Sequence, residues 1–228
     1  NLFNKIFPLK CIFCEQIGEI ICENCLYDCD ILDLQYCIVC DKPSFYGFTH
    51  DKCLINNPNA PKQCISVYKY KEKIRDIIKI SKFGSKRFFV LKKLCYESCY
   101  LIKEWGFLFK NFTCIPVPIS KNRYKKRGFN QAEIICRIIS KNMNLDNQNS
   151  SITRSKDTDS QFKLDKKSRY KNIEDAFSIN SNIKGKKILI VDDIVTSGST
   201  LREISKVLYK NGALEVRCFT LSKRFKFG

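Results

Sequence analysis

The sequence predicts an α/β protein with a small metal-held module at its N-terminus. Three observations predict it. Four close pairs of metal-ligating residues lie between Cys11 and Cys53. Beyond them, apolar runs of strand length alternate with amphipathic helical segments, the pattern of a sheet covered by helices. One run, KKILIVDDIVTSGSTL over 186–201, passes from an unbroken apolar stretch into two adjacent aspartates and then a small hydroxylated loop.

The N-terminal pairs are Cys11-x2-Cys14, Cys22-x2-Cys25, Cys37-x2-Cys40 and His50-x2-Cys53. Each tight turn offers two donors, and two turns close a tetrahedral zinc site. Cys11, Cys14, Cys22 and Cys25 form one complete set; Cys37, Cys40, His50 and Cys53 form a second. From sequence alone an interleaved pairing of the turns, or competition from Cys29, stays open. His50 is the chain's single histidine and stands where a fourth pair is due. Cys64, Cys95, Cys99, Cys114, Cys136 and Cys218 lie in apolar segments without a partner at that spacing and read as buried thiols. The module is expected over 1–62, a second domain over 63–228, with INNPNAPKQ (55–63) as linker.

The second domain opens on CISVYKY, which alternates like a strand. KEKIRDIIKISK puts Ile74, Ile77 and Ile78 on one helical face with basic residues opposite. A turn is expected at Phe83-Gly84-Ser85, then a second helix through FFVLKKLCYESCYLIKEWG. TCIPVP (113–118) is a short apolar strand, followed by a basic loop and a helix from Asn130 to Met143. The polar stretch SSITRSKDTDSQFKLDKKSRYKN cannot pack a core and reads as a functional loop or hood. AFSI, KKILIVDD and LEVRCFTLS supply the remaining strands.

The run Ile188, Leu189, Ile190, Val191 has the composition of a strand buried on both faces. Asp192 and Asp193 are then expected at its carboxyl end, where open α/β sheets bind ligands. The helix LREISKVLYKNG follows and stops at Gly212. Free amides at its N-terminus, with Thr196, Ser197, Gly198, Ser199 and Thr200, make a cup for a phosphate. Carboxylates repel phosphate but accept from sugar hydroxyls or hold a metal through water. A ligand with a phosphate beside a ribose diol fits both halves, and phosphoribosyl pyrophosphate is such a ligand.

Composition sets outer bounds. Forty-one Lys and Arg against 23 Asp and Glu give a formal charge of +18, which favours polyanionic partners, nucleic acid before anionic membrane. A Lys-, Asn- and Ile-rich codon bias supplies a competing explanation. No apolar run approaches the roughly 20 residues of a membrane helix. NLFNKIFPLKC lacks a signal peptide's apolar region and cleavage site, so a cytoplasmic location is expected, with the inner face of the membrane as a further possibility. Fourteen cysteines in such a chain point to metal ligands and thiols, not disulfides.

The strand, acidic pair and T-[ST]-G-x-T loop resemble the ribose-phosphate signature of type I phosphoribosyltransferases. PVPISKNRYKKRGFNQAE (116–133) joins a Pro-Val-Pro strand end to Arg-Gly-Phe-Asn-Gln. Residues 154–177 keep R-x3-T-x2-Q-x2-L-x4-R-x2-N-x3-A-F in order. With the N-terminal ligand pairs, these segments resemble the ComF family, phosphoribosyltransferase-like proteins associated with natural competence. The resemblance implies an α/β type I phosphoribosyltransferase-like domain behind a zinc-ribbon module. His50 stands where the family usually has Cys, and Lys156 where it often has Arg.

By that resemblance Asp192 and Asp193 hold the ribose hydroxyls and orient magnesium, the catalytic positions if chemistry occurs. Thr196 to Thr200 hold the 5-phosphate. Val117, Pro118, Ile119 and Ser120, with Lys121 and Arg123, match the pyrophosphate loop. Arg127, Gly128, Asn130, Gln131, Arg154, Gln161, Arg169 and Asn172 are family-motif positions. Cations interleaved with aromatics suggest single-stranded DNA at Lys121, Arg123, Tyr124, Lys125, Lys126 and Arg127, and at Lys166, Lys167, Arg169, Tyr170 and Lys171. Three functions follow: a competence protein binding phosphoribosyl pyrophosphate and single-stranded DNA alongside other DNA-uptake proteins, an active phosphoribosyltransferase, or a ligand-responsive regulator of nucleotide genes.

Overall fold

A computed structural model describes residues 8–83, 87–149, 151–154 and 176–225. Its centre is a five-stranded parallel sheet in the order β1-β7-β6-β2-β3. The strands are β1 (Gln63–Lys69), β2 (Phe112–Pro116), β3 (Asp146–Asn147), β6 (Lys187–Val195) and β7 (Glu215–Lys223). A separate antiparallel pair joins β4 (Ile152–Arg154) to β5 (Phe177–Ile179). The continuous apolar run of β6 is explained by burial on both sides. Leu189 and Val191 join one core cluster, and Ile188 and Ile190 join the other.

The first cluster packs α3 (Glu72–Phe83), α4 (Arg87–Leu101) and α6 (Gln131–Met143) on one face through Ile77, Leu94 and Ile139. On the other face, α7 (Ser199–Lys210) presents Leu201, Ile204 and Leu208. Chain leaving β2 crosses through α6 to β3, and chain leaving β6 crosses through α7 to β7 in the opposite direction. The carboxyl ends of β6 and β2 therefore flank a topological switch point, where the backbone opens a crevice. No described helix is long and apolar enough to cross a membrane.

The basic segment expected as a loop is a helix, α5 (Lys121–Arg127). Ser120 caps it by accepting from the Arg123 amide, and Gly128 closes it at φ +76°, where a side chain would be strained. Lys and Arg are good helix formers between such caps, so the charge run took a helical form.

The N-terminal segment carries α1 (Glu23–Tyr27) and α2 (Asp51–Asn56) and lies along the outer edge of β1. Ile20, Ile21 and Leu26, sparse in the sequence, all turn into the cluster that contains Ile65 and Ile74. The stretch expected as a linker is seated against β7 and α7. The Lys62 amide donates to Val216, and Ser205 Oγ donates to the Asn59 carbonyl.

An edge strand needs its free backbone groups satisfied. Here Gln35 does so: its Nε2 donates to the Ser66 carbonyl at 2.9 Å while its Oε1 accepts the Ser66 amide at 3.0 Å. Both residues are buried. Gln35→Ala would strand two buried backbone groups, at a cost of about 2 kcal/mol. Thermal unfolding should drop by roughly 4 to 8 °C. An unchanged midpoint would mean that water replaces the amide.

Candidate ligand site and metal centres

Two groups of side chains each bring four donor atoms within 4.8 Å of one another: Cys11, Cys14, Cys22, Cys25 and Cys37, Cys40, His50, Cys53. The ligand turns therefore pair in sequence order rather than interleaving, and Cys29 belongs to neither group. Either group could hold zinc. Their chemistry fits it. Burial would raise the Cys11 thiol, but the amides of Cys22, Cys14 and Phe13 point at its sulfur and bring it down to about 6. Burial, then the sulfurs of Cys14, Cys22 and Cys11, pushes Cys25 up to about 12. Four thiols so crowded cannot all ionise without a cation.

The second group is similar. Burial of Cys37 is outweighed by amides of Cys40, His50 and Val39, which lower its thiol, while burial beside Cys40 and Cys37 raises Cys53 to about 11. His50 Nδ1 lies 3.3 Å from Cys40 Sγ, and its Nε2 lies 3.1 Å from the Pro43 carbonyl. A ring that donated from Nε2 to that carbonyl would leave its Nδ1 lone pair for a metal ion held with Cys37, Cys40 and Cys53.

At the switch point, Asp192 and Asp193 lie in the last part of β6, whose ladder continues through Val195 beside Lys223. Strand character therefore extends past the aspartates, as β-branched Ile194 and Val195 favour. The Asp192 carboxylate accepts the Asp193 amide at 2.8 Å. Asp193 pairs with Lys82 Nζ at 3.1 Å. Removal from water, then the neighbouring Asp193 charge, pushes the Asp192 carboxyl well above its usual range.

These carboxylates floor a polar cavity of about 180 Å³, walled by Lys82, Val117, Pro118, Ile119, Arg123, Arg127, Gln131, Arg154 and Thr200. Asn130 also lines it but spends its amide on the fold: Nδ2 donates to the Val117 carbonyl and Oδ1 caps α6 at the Ala132 amide. Gln131 accepts from Arg127 at 3.1 Å and donates to Ser81 Oγ at 2.6 Å, so it props the guanidinium on α3. The Arg127 guanidinium also lies 5.5 Å from the Phe83 ring centroid. The RGFNQ segment thus aims one arginine at the acidic pair.

Helical geometry divides the basic segment. Arg123 and Arg127, four residues apart, face the acidic cavity; Lys121, Tyr124 and Lys125 face a second cleft of about 600 Å³. The two spaces share Pro118, Ile119, Asn130 and Arg154 as a common wall. Lys126 is exposed and lines neither.

Around the hydroxylated loop, Thr200 reaches the acidic cavity. Ser197 Oγ donates to Ser199 Oγ at 3.0 Å, and Gly198 sits at φ +71° just before α7. Thr196, Ser197 and Gly198 face the turn of the second metal group instead. Gln161, Lys166, Lys167, Arg169, Tyr170, Lys171 and Asn172 lie outside the described residues. Sequence reasoning missed Lys82, assigned to a solvent-facing basic stripe. Its signal was its place four residues after the buried Ile78, on the same helical face.

A model of the phosphoribosyl transferase domain matches residues 125–225, the part of the chain that carries the switch point. Over nearly full length the chain is 31% identical to competence protein F of Haemophilus influenzae, covering 96% of this chain and 99% of that one. It is 24% identical to competence protein ComFC of Bacillus subtilis over 96% of this chain and 90% of that one. A DNA utilization protein, YhgH, of Escherichia coli O157:H7 is 36% identical over 48% of each chain. The chain belongs to the ComF family of phosphoribosyltransferase-like proteins.

Proposed function

We propose that the protein binds phosphoribosyl pyrophosphate with magnesium in the acidic cavity and single-stranded DNA in the adjoining cleft, in a role in natural competence. The observation that carries this reading is the shared wall between a cavity with carboxylates facing arginines and a larger cleft lined by cations and an aromatic ring. Asp192 and Asp193 offer acceptors to a ribose diol and to magnesium-bound water. Thr200 and the N-terminal turn of α7 take the 5-phosphate at the edge of the cavity, with Arg123 and Arg127 facing the pyrophosphate. Relatives named for competence and for DNA utilization support the biological role. Equilibrium dialysis should find one phosphoribosyl pyrophosphate site per chain that requires magnesium; no binding would overturn the reading.

On the DNA side, Tyr124 is 50% exposed, enough for a base to stack between the Lys121 and Lys125 ammonium groups. If about four phosphates are contacted, log affinity should fall against log salt with a slope near −3. Lys121→Ala with Lys125→Ala should flatten that slope by about 1.4. Fluorescence anisotropy with a labelled oligonucleotide measures it, and an unchanged slope would move the strand elsewhere.

The size of the second cleft also favours transfer of ribose 5-phosphate to a nucleobase seated there. Release of pyrophosphate on adding a base distinguishes that reaction from binding alone.

A further inference from the structure

The second metal turn touches the loop before α7. A Cβ added to Gly198 would lie 2.7 Å from Ile38 Cγ1 and 3.1 Å from the Ile38 carbonyl oxygen, so the two backbones meet with no room for a side chain. Ile38 lies between the ligands Cys37 and Cys40. It is 7% exposed and joins the core cluster that holds Val195 and Leu201, the residues on either side of the loop. Only about 30 Å³ of space separates residues 38–41 from 195–198, and Lys223 closes it. The buried Lys223 ammonium pairs with Asp41, directly after Cys40, while its backbone continues the ladder beside Val195.

The turn's shape depends on its ligands. Asp41 is held at φ +63° with its amide on the Cys37 carbonyl at 2.9 Å, and the Cys37 amide donates to the Lys42 carbonyl at 2.9 Å. Without a cation nothing ties the four donors to one another, and the turn keeps only the Lys223–Asp41 pair and the packing of Ile38. The first metal group lies instead in the cluster on the opposite sheet face.

We propose that metal at Cys37, Cys40, His50 and Cys53 sets the conformation of the 196–200 loop through Ile38, making anion binding there dependent on metal occupancy. Ile38 is a positioning residue in this arrangement. The inference rests on the phosphate reading of that loop for its functional consequence, and on the Ile38–Gly198 contact for its structural one.

The test uses the full chain and four variants: Ile38→Ala, which keeps every ligand, Ile38→Val, Cys40→Ser, and Cys14→Ser in the other metal group. Amide hydrogen exchange across 195–201 reads the loop without any ligand, and calorimetry with phosphoribosyl pyrophosphate and magnesium reads the site. Ile38→Ala and Cys40→Ser should each speed loop exchange and weaken binding by about tenfold, within the usual span of coupling between sites. Ile38→Val should restore both to within about threefold, and Cys14→Ser should leave loop exchange unchanged. Unchanged loop exchange in Ile38→Ala and Cys40→Ser would overturn the proposal. So would an equal rise in Cys14→Ser. Should the unmodified chain fail to bind the pyrophosphate donor, the ligand reading fails, while the exchange data still decide the coupling.

Discussion

Stripping zinc from the full chain should unfold residues 8–62 and loosen the β1 edge of the sheet with them. Structural zinc in small modules contributes on the order of 10 to 16 kcal/mol, against which a few borrowed apolar contacts weigh little. Gln35 and Phe48 bridge the module to β1, so its loss exposes the Ser66 backbone and the Gln63 end of the strand. Elemental analysis of protein purified without chelator should find two zinc per chain, one for each donor group. Chelator should then lower the unfolding midpoint and remove far-ultraviolet signal. Metal-free protein with an unchanged midpoint would leave both clusters as ordinary thiols.

Asp192→Asn should stabilise the fold and weaken the ligand together. Partial burial, then the neighbouring Asp193 charge, makes the folded chain hold the Asp192 proton more tightly than the unfolded one. As pH rises above about 4, the unfolded chain releases that proton first, so the wild type loses stability with rising pH until the folded group also titrates. The variant carries no such cost and keeps an oxygen for the Asp193 amide. Its midpoint should match the wild type below about pH 4 and exceed it by about 2 to 4 °C near neutrality. A gap that shrinks as pH rises would contradict this. A site that holds a costly charge where a ligand needs it is a familiar trade of stability for function.

The four donor pairs were legible in the sequence because a tight turn is local and two residues of spacing fix it, but which turns come together was settled only by the structure. The β6 run, the α7 start and the helix α6 were legible for the same reason, since periodicity acts within a few residues, whereas the capping role of Asn130 emerged only from the structure. The helical form of 121–127 was also present in its Ser120 and Gly128 caps, but the charge run obscured it. What the sequence did not show are contacts between residues far apart in the chain. Gln35 with Ser66, Lys82 with Asp193 and Ile38 with Gly198 each join separate elements, and no local pattern announces them. They determine how the metal module sits on the sheet and what surrounds the acidic pair.

Calorimetric titration of phosphoribosyl pyrophosphate into the full chain, with magnesium and then with chelator in its place, tests the ligand site most directly. One saturable site that needs magnesium, weakened at least about a hundredfold in Asp192→Asn with Asp193→Asn, is the expected result, since two charged acceptors are each worth about 1.5 to 3 kcal/mol. No heat in the wild type, or equal affinity in the double variant, would reduce the acidic pair and its loop to a strand end and a helix start.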